Sequence, residues 1–263
     1  MISLTALILT YNEKENIVRT LAALSSVQDI VLIDSSSTDG TVEIAQGARP
    51  DVRILQRAFD THTQQWNFGL DQIETEWVLT LDADYELSPE MQAEIATLEP
   101  PPEVVGYSAD FEYRIFGHPL RASSYPPRVV LFRVASARYV DDGHTQLLKP
   151  NGGVEKLAGR IYHDDRKPLS HWIRAQDRYA SLEARHLLSI PLKQLNFQDR
   201  LRRRIFFAAP TMFLYLLLGR GLIFDGWQGW YYVGQRTLAE MLLSLRLVTE
   251  REGLERPEDA RPG

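Results

Sequence analysis

Leu4-Thr5-Ala6-Leu7-Ile8-Leu9 runs without a break into Thr10-Tyr11-Asn12-Glu13. An apolar run of this length reads as a buried strand, and its abrupt polar end places reactive side chains at the strand's carboxyl terminus. The same pattern recurs at Ile30–Ile33, which ends in Asp34-Ser35-Ser36-Ser37-Thr38-Asp39-Gly40-Thr41, at Val52–Leu55, and at Trp77–Leu81, which ends in Asp82-Ala83-Asp84-Tyr85. Amphipathic segments lie between these runs. Glu13–Leu24 reads as a helix with Ile17, Leu21 and Leu24 inward, Thr41–Gln46 as a second with Thr38 or Asp39 as cap, and Gln65–Ile73 as a third. Ser88 as N-cap with Pro89 at the first helical position opens a fourth, which runs to about Leu98 before Pro100-Pro101-Pro102. Strands alternating with helices imply an α/β domain, its mostly parallel sheet covered by helices on both faces.

From Val104 the pattern changes. Tyr107–Ile115, Val129–Val134 and Leu157–Tyr162 read as strands of an antiparallel or mixed extension, with turns at Gly117 and Pro126-Pro127. Trp172–Leu188 reads as a helix with Ile173, Leu182 and Leu187 inward. The expected organisation is 1–103 and 104–168 as two halves of one domain, 169–249 as a helical region that associates with membrane or oligomerises, and 250–263 as a flexible tail.

The composition bounds the function. Of 263 residues, 44% are hydrophobic and 24% charged, in the range of an ordinary globular chain. Lys and Arg total 29 against 35 Asp and Glu, a net charge of −6 that argues against a nucleic-acid binder. With no cysteine, thiolate metal sites, cysteine nucleophiles and disulfide scaffolds are excluded. The first apolar run lacks the basic flank of a signal peptide, so the expected location is cytoplasmic.

In an open parallel sheet, ligands bind beyond the carboxyl ends of the strands. Thr10 to Glu13, Asp34 to Thr41, Gln64-Gln65-Trp66-Asn67 and Asp82 to Tyr85 are therefore expected along one edge. Asp82 and Asp84, at alternate positions in the mouth of a hydrophobic strand, suit Mg²⁺ or Mn²⁺, which bind one or two carboxylates together with substrate phosphates. Acidic residues that merely cap a strand give the same short pattern.

Ala6 to Glu13, Ile30 to Thr41 and Leu81-Asp82-Ala83-Asp84, in that order, resemble the family 2 glycosyltransferases. The resemblance covers about residues 1–165 and implies the GT-A (Rossmann-like) fold, inversion at the transferred sugar and a nucleotide-diphosphate-sugar donor, with 1–103 as the nucleotide-sugar-binding half and 104–168 as the acceptor-binding and catalytic half. A finer similarity reaches about residue 235. It rests on Phe59-Asp60, Gln65-Trp66-Asn67-Phe68, Asp141-Asp142-Gly143-His144 and Gly221 to Trp230, and points to bacterial enzymes acting on the lipopolysaccharide core, other envelope glycans or lipid-linked acceptors.

The resemblance implies roles for individual residues. Thr10, Tyr11, Asn12, Glu13, Asp34, Ser36, Asp39, Gln65, Asn67 and Asp82 would bind the donor, with Tyr11 stacking on its base. Asp39 reads equally as a helix cap, and Glu13 as an anion of a helix's first turn. Asp84, Asp82 and His163 would hold Mn²⁺ or Mg²⁺; a hydrogen bond from His163 to Asp164 or Asp165 is the structural alternative. Asp142, or else Asp141, would be the base that deprotonates the acceptor, although an acidic turn before Gly143 has the same sequence. His144 and Arg128 would meet the acceptor. The subgroup often carries His-Glu where this chain has His144-Thr145-Gln146. Lys167 reads as part of a solvated charged loop.

Arg200, Arg202, Arg203 and Arg204 precede an uncharged stretch, Ile205–Leu218, that is too short to span a bilayer. Trp227, Trp230, Tyr231 and Tyr232 follow. Basic, apolar and aromatic residues in this order suit peripheral or monotopic attachment at the inner face of the cytoplasmic membrane; a helical hairpin buried against the catalytic domain or in a homo-oligomer has the same composition. Two other functions compete with a transferase. A sugar nucleotidyltransferase needs a glycine-rich basic loop after its first strand, which Thr10–Asn16 does not provide. A non-catalytic membrane-surface module would keep only the nucleotide-sugar pocket.

Overall fold

In the computed structural model, which describes residues 2–142 and 145–254, the amino-terminal run forms β1 (Leu4–Thr10) at the centre of a parallel set. The chain continues through α1 (Ile17–Ala22), β2 (Asp29–Asp34), α2 (Thr41–Ala48), β3 (Arg53–Gln56), α3 (His62–Leu70), β4 (Trp77–Asp82), β5 (Tyr85–Leu87) and α4 (Pro89–Ala96). Next come β6 (Val104–Ile115), β7 (His118–Pro119), β8 (Arg128–Arg133), β9 (Ala137–Asp142), β10 (Thr145–Pro150) and β11 (Gly153–His163). These elements form one unit, residues 2–119 with 124–167; residues 120–123 and those from 168 on form a second.

β3, β2, β1 and β4 are parallel neighbours in that order. The sheet then turns mixed: β8 is antiparallel to both β4 and β6, β11 is parallel to β6, and β5 is antiparallel to β11. Alternation along the strands builds two cores. Ala6, Ile8, Ile30, Leu32, Leu79 and Leu81 face one side and pack with Ile17, Leu21 and Leu24 of the α1 segment and with Met91 and Ile95 of α4. Leu7, Val31, Ile33 and Val78 face the other side, against Trp66 and Leu70 of α3. Helices therefore cover both faces, as the strand–helix alternation predicts.

Local chemistry explains where the elements start. α4 begins at Pro89 because the Ser88 side chain accepts from the Met91 amide at 3.2 Å. α3 begins at His62, ahead of the expected Gln65, because Thr61 caps it through the Gln64 amide. α1 is shorter than expected, yet the Glu13 carbonyl already accepts from Asn16 and Ile17, so the chain coils from Glu13 onward. β9 and β10 pair antiparallel as a separate two-stranded sheet, with Asp142 opposite Thr145. Its strands escape a hydrophobic-run reading because Ala137-Arg138-Tyr139-Val140 and Gln146-Leu147-Leu148-Lys149 mix polar and apolar residues.

One contact in β11 tolerates only glycine. A Cβ at Gly159 would lie 2.3 Å from the Met91 Cα of α4, and Glu94 of the same helix accepts from the Ala158 and Gly159 amides at 3.0 and 2.9 Å.

In the second unit, α5 (Leu169–Ser189) packs on α8 (Gly226–Arg251) through Ala180, Ala184, Leu187, Leu243 and Leu247. Between them lie α6 (Phe197–Arg202) and α7 (Ala208–Leu214). Leu187 is inward as expected, but Ile173 and Leu182 are 39% and 43% exposed. The buried stripe is made by small alanines, which let the helices approach, and Leu182 points away from it. Arg121 ties residues 120–123 to this unit, donating from Nε to Asp225 Oδ1 at 2.7 Å and from its amide to Oδ2 at 3.0 Å. Among the described residues no single helix is long and apolar enough to cross a membrane. Ala208–Gly219 and Leu222–Arg251, bent by 73°, reach that length and hydropathy only together.

Candidate functional site

The parallel set brings its polar ends to one edge. Thr10 pairs with Asp34, Asp34 with Gln56, and Asp82 with Leu9 one step back. Thr10, Asp34 and Asp82 thus stand side by side at the carboxyl ends of adjacent strands, as the four polar strand ends predict.

Two loops are stitched together above this edge. The Asn12 amide donates to Ser37 Oγ and the Thr38 amide to Asn12 Oδ1, both at 2.8 Å. The Glu13 amide donates to Thr41 Oγ1 at 2.8 Å, and the Lys14 amide to Asp39 at 3.2 Å. Asn12 and Ser36 take left-handed backbone conformations, φ 54° and 66°, at these turns. Asp34 is fully buried and accepts from the Ser37 hydroxyl and amide at 2.6 and 3.0 Å. The N-cap of α2 is Gly40 and neither Thr38 nor Asp39 as expected, although Asp39 accepts from the Thr41 amide at 3.0 Å. Tyr11 projects from this framework, 40% exposed.

Asp84 and His163 meet behind the edge. His163 ends β11 opposite Tyr85, and its Nε2 lies 3.3 Å from Asp84 Oδ2. The rings of Tyr85, Tyr113 and Tyr125 surround the imidazole at 5.1, 4.5 and 5.1 Å. Burial works against the Asp84 charge, but the His163 contact and then the Lys167 ammonium hold its carboxyl at about 2. Burial likewise disfavours imidazolium, yet Asp84 outweighs it and raises His163 above the ordinary imidazole value. The hydroxyls of Tyr85 and Tyr125 hydrogen-bond to each other. Burial, and next the charge of Asp82, push Tyr125 up to about 12.

Asp84 Oδ1 and His163 Nδ1 are buried without a hydrogen-bond partner. Among the described residues no three His, Asp or Glu side chains converge into a metal cage. A hard divalent ion that arrives with a diphosphate needs only one or two protein carboxylates, so the orphaned Asp84 oxygen suits such an ion.

Lys167 corrects the sequence-based expectation of a solvated loop. It is largely buried, bonds Glu13 Oε1 and lies 3.4 Å from Asp165. Burial pulls its pKa down, but the charges of Asp84, Glu13 and Asp165 prevail and raise it above the ordinary lysine value. Burial, and next the Asp84 charge, push the Glu13 carboxyl up to about 7. Asn16, fully buried, connects this group: its Nδ2 donates to Glu13 at 2.8 Å and to Asp165 at 3.1 Å, while its Oδ1 accepts from the Arg166 amide and from Arg19. Asn16 and Lys167 are missing from the sequence-derived set because their partners lie some 150 positions away, beyond any local pattern.

The remaining candidates divide. Gln65 is buried and donates to Ser35 Oγ and the Arg57 carbonyl, both at 2.9 Å. Asn67 engages the Tyr139 main chain twice, donating from Nδ2 to its carbonyl at 2.9 Å and accepting from its amide at 3.1 Å. It thereby fixes β9, which carries Asp141 and Asp142, to α3. Asp141 is exposed. Asp142 ends β9, but its side chain lies outside what the structure describes, as does all of His144. Arg128 packs over the Tyr125 ring at 4.5 Å.

A family profile described as Glycosyl transferase family 2 matches residues 5–138. An uncharacterised glycosyltransferase of Rickettsia conorii is 33% identical over 93 residues, which are 35% of this chain and 32% of that protein. The chain thus matches about a third of the length of such relatives. The lipopolysaccharide core biosynthesis glycosyltransferase LpsC of Rhizobium meliloti is 25% identical over 232 residues, covering 83% of this chain and 82% of LpsC. Among solved structures, S. aureus TarS 1–349 in complex with UDP-GlcNAc aligns over 95% of this chain and 92% of its own, with 14% identity and a TM-score of 0.49.

Proposed function

The chain belongs to glycosyl transferase family 2, and on that premise we propose that it transfers a sugar, with inversion, from a nucleotide-diphosphate donor to a glycan or lipid-linked acceptor of the cell envelope. The observation that carries this reading is the row of Thr10, Asp34 and Asp82 along one strand edge with the buried Asp84 behind it. The similarity to LpsC along most of both chains supports a lipopolysaccharide-core or related acceptor.

In this reading the exposed Tyr11 stacks on the base, and the loops held by Asn12, Ser37 and Asp39 frame the nucleoside. Asp84, with Asp82 and His163, would hold Mn²⁺ or Mg²⁺, whose charge offsets that of the departing diphosphate. The acceptor oxygen attacks the anomeric carbon from the face opposite the diphosphate. As that bond forms, the anomeric C–O bond breaks and the nucleoside diphosphate leaves with the electron pair. Asp142 takes the acceptor's proton, with Asp141 as the alternate. Arg128 and His144 contact the acceptor.

The second unit would hold the enzyme at a membrane surface. Phe206, Leu214, Leu218, Phe224 and Trp230 are all exposed there, as interfacial anchoring requires.

The test is release of nucleoside diphosphate from a panel of UDP- and GDP-sugars, with and without Mn²⁺, by the native chain and by D84N. Metal-stimulated release that D84N abolishes is expected. Equal release by both proteins refutes the assignment, and pyrophosphate-dependent exchange would identify a nucleotidyltransferase.

A further inference from the structure

The second unit carries a cavity of about 240 Å³ lined by Leu192, Arg200, Arg203, Arg204 and Arg251. The first three arginines come from α6 and the residues just after it, and Arg251 ends α8. Four guanidinium groups around one space repel one another, an arrangement that costs free energy unless an anion shares them.

Several other arginines of this unit are paired with carboxylates. Arg202 meets Glu240 at 2.8 Å, Arg246 meets Asp177 at 2.6 Å, and Arg121 meets Asp225 at 2.7 Å. Among the described residues none of the four cavity arginines has a carboxylate within ion-pair distance. Two of them are instead aimed by main-chain oxygens. Arg200 Nε donates to the Leu195 carbonyl at 2.6 Å, and Arg203 donates to the Ile190 carbonyl at 3.0 Å. Such bonds orient a side chain and leave its charge uncancelled. Arg203 Nε is buried with no hydrogen-bond partner at all. Planar forks of donors match phosphate oxygens, two bonds to each guanidinium.

We propose that this cavity binds a phosphate monoester or diphosphate. Phe197, the first residue of α6, and Phe206, just beyond its end, are 82% and 81% exposed and suit contact with acyl chains, so the favoured source is the headgroup of an anionic lipid. Only that choice of source rests on the membrane reading above; the phosphate site does not.

The full chain is tested with inorganic pyrophosphate by calorimetry, and by sedimentation with phosphatidylcholine vesicles with and without phosphatidic acid. The Arg204 and Arg251 side chains make no hydrogen bond with the described residues, so R204Q/R251Q should spare the fold; R204Q alone serves if the pair unfolds early. R174Q/R178Q, on α5, removes the same charge elsewhere. The native chain is expected to bind pyrophosphate and to prefer phosphatidic acid, and R204Q/R251Q to weaken both by about tenfold or more, with the control unchanged. Pyrophosphate binding that depends on Arg204 and Arg251, without vesicle preference, would assign the site to a soluble phosphate compound and count against the membrane reading alone. Binding that ignores these arginines, or falls equally in the control, overturns the site even if the protein still sediments with vesicles.

Discussion

Lys167 donates to Glu13 across 154 positions of chain, and both side chains are withdrawn from solvent. The contact joins the loop after β1 to the loop after β11. Removing one member of a buried ion pair strands the other charge, at a cost of about 3–5 kcal/mol. K167M should lose stability on that order in urea unfolding above pH 7, where Glu13 is ionised. E13Q/K167M should recover part of it: position 13 is then neutral, while Asp84 and Asp165 still lose a counter-charge.

The raised Glu13 value sets a pH dependence. An ordinary glutamate titrates near 4.5, whereas Glu13 titrates at about 7 in the folded chain. Between these values the folded state holds the proton that the unfolded state has released. This group's stabilising contribution is therefore complete below 4.5 and is lost as the pH rises to about 7. Unfolding midpoints of the native chain should fall across that window relative to those of E13Q; parallel profiles would contradict the assignment.

Asn67 holds the Tyr139 main chain by two hydrogen bonds. N67A should cost about 1–3 kcal/mol and speed hydrogen exchange at the Tyr139 amide more than at Leu32 or Leu79. Uniform acceleration would mean that β9 is anchored elsewhere.

Much of this architecture is legible in the sequence because strands buried on both faces must be apolar runs, and because Ser88-Pro89 is a local stop-and-start signal. The polar edge follows from the same logic, since Asp34 and Asp82 directly follow such runs. What stays hidden is long-range or mixed in pattern. Tyr85-Glu86-Leu87 is too short to register as a strand. Lys167 looks solvated until β11 carries it under Glu13. Asn67 reads as a polar residue of a helix near the ligand, but its amide is spent on a strand whose position no local rule gives.

Gly159 allows α4 to lie against β11, with Met91 Cα 2.3 Å from where a side chain would start. Because the obstacle is backbone, G159A should force the helix outward and cost about 1–3 kcal/mol, read as a lower urea midpoint. A midpoint equal to that of the native chain would mean that β11 shifts freely there.

D142N should lower the rate of sugar transfer far more than donor affinity, with D141N the smaller change; a general base contributes about 10²–10⁴ in rate. Single-turnover transfer alongside nucleotide-sugar titration separates the two quantities. An unchanged rate in both variants would move proton removal to another group.

Asn12 both gives and receives across the gap between its own turn and the Ser37-Thr38 turn. Neither turn can be lengthened, shortened or transplanted without unmooring its neighbour. Grafting one of them alone should yield a misfolded corner, whereas grafting both as a matched pair preserves the lock. Divergence at this rim is accordingly constrained to travel in couples.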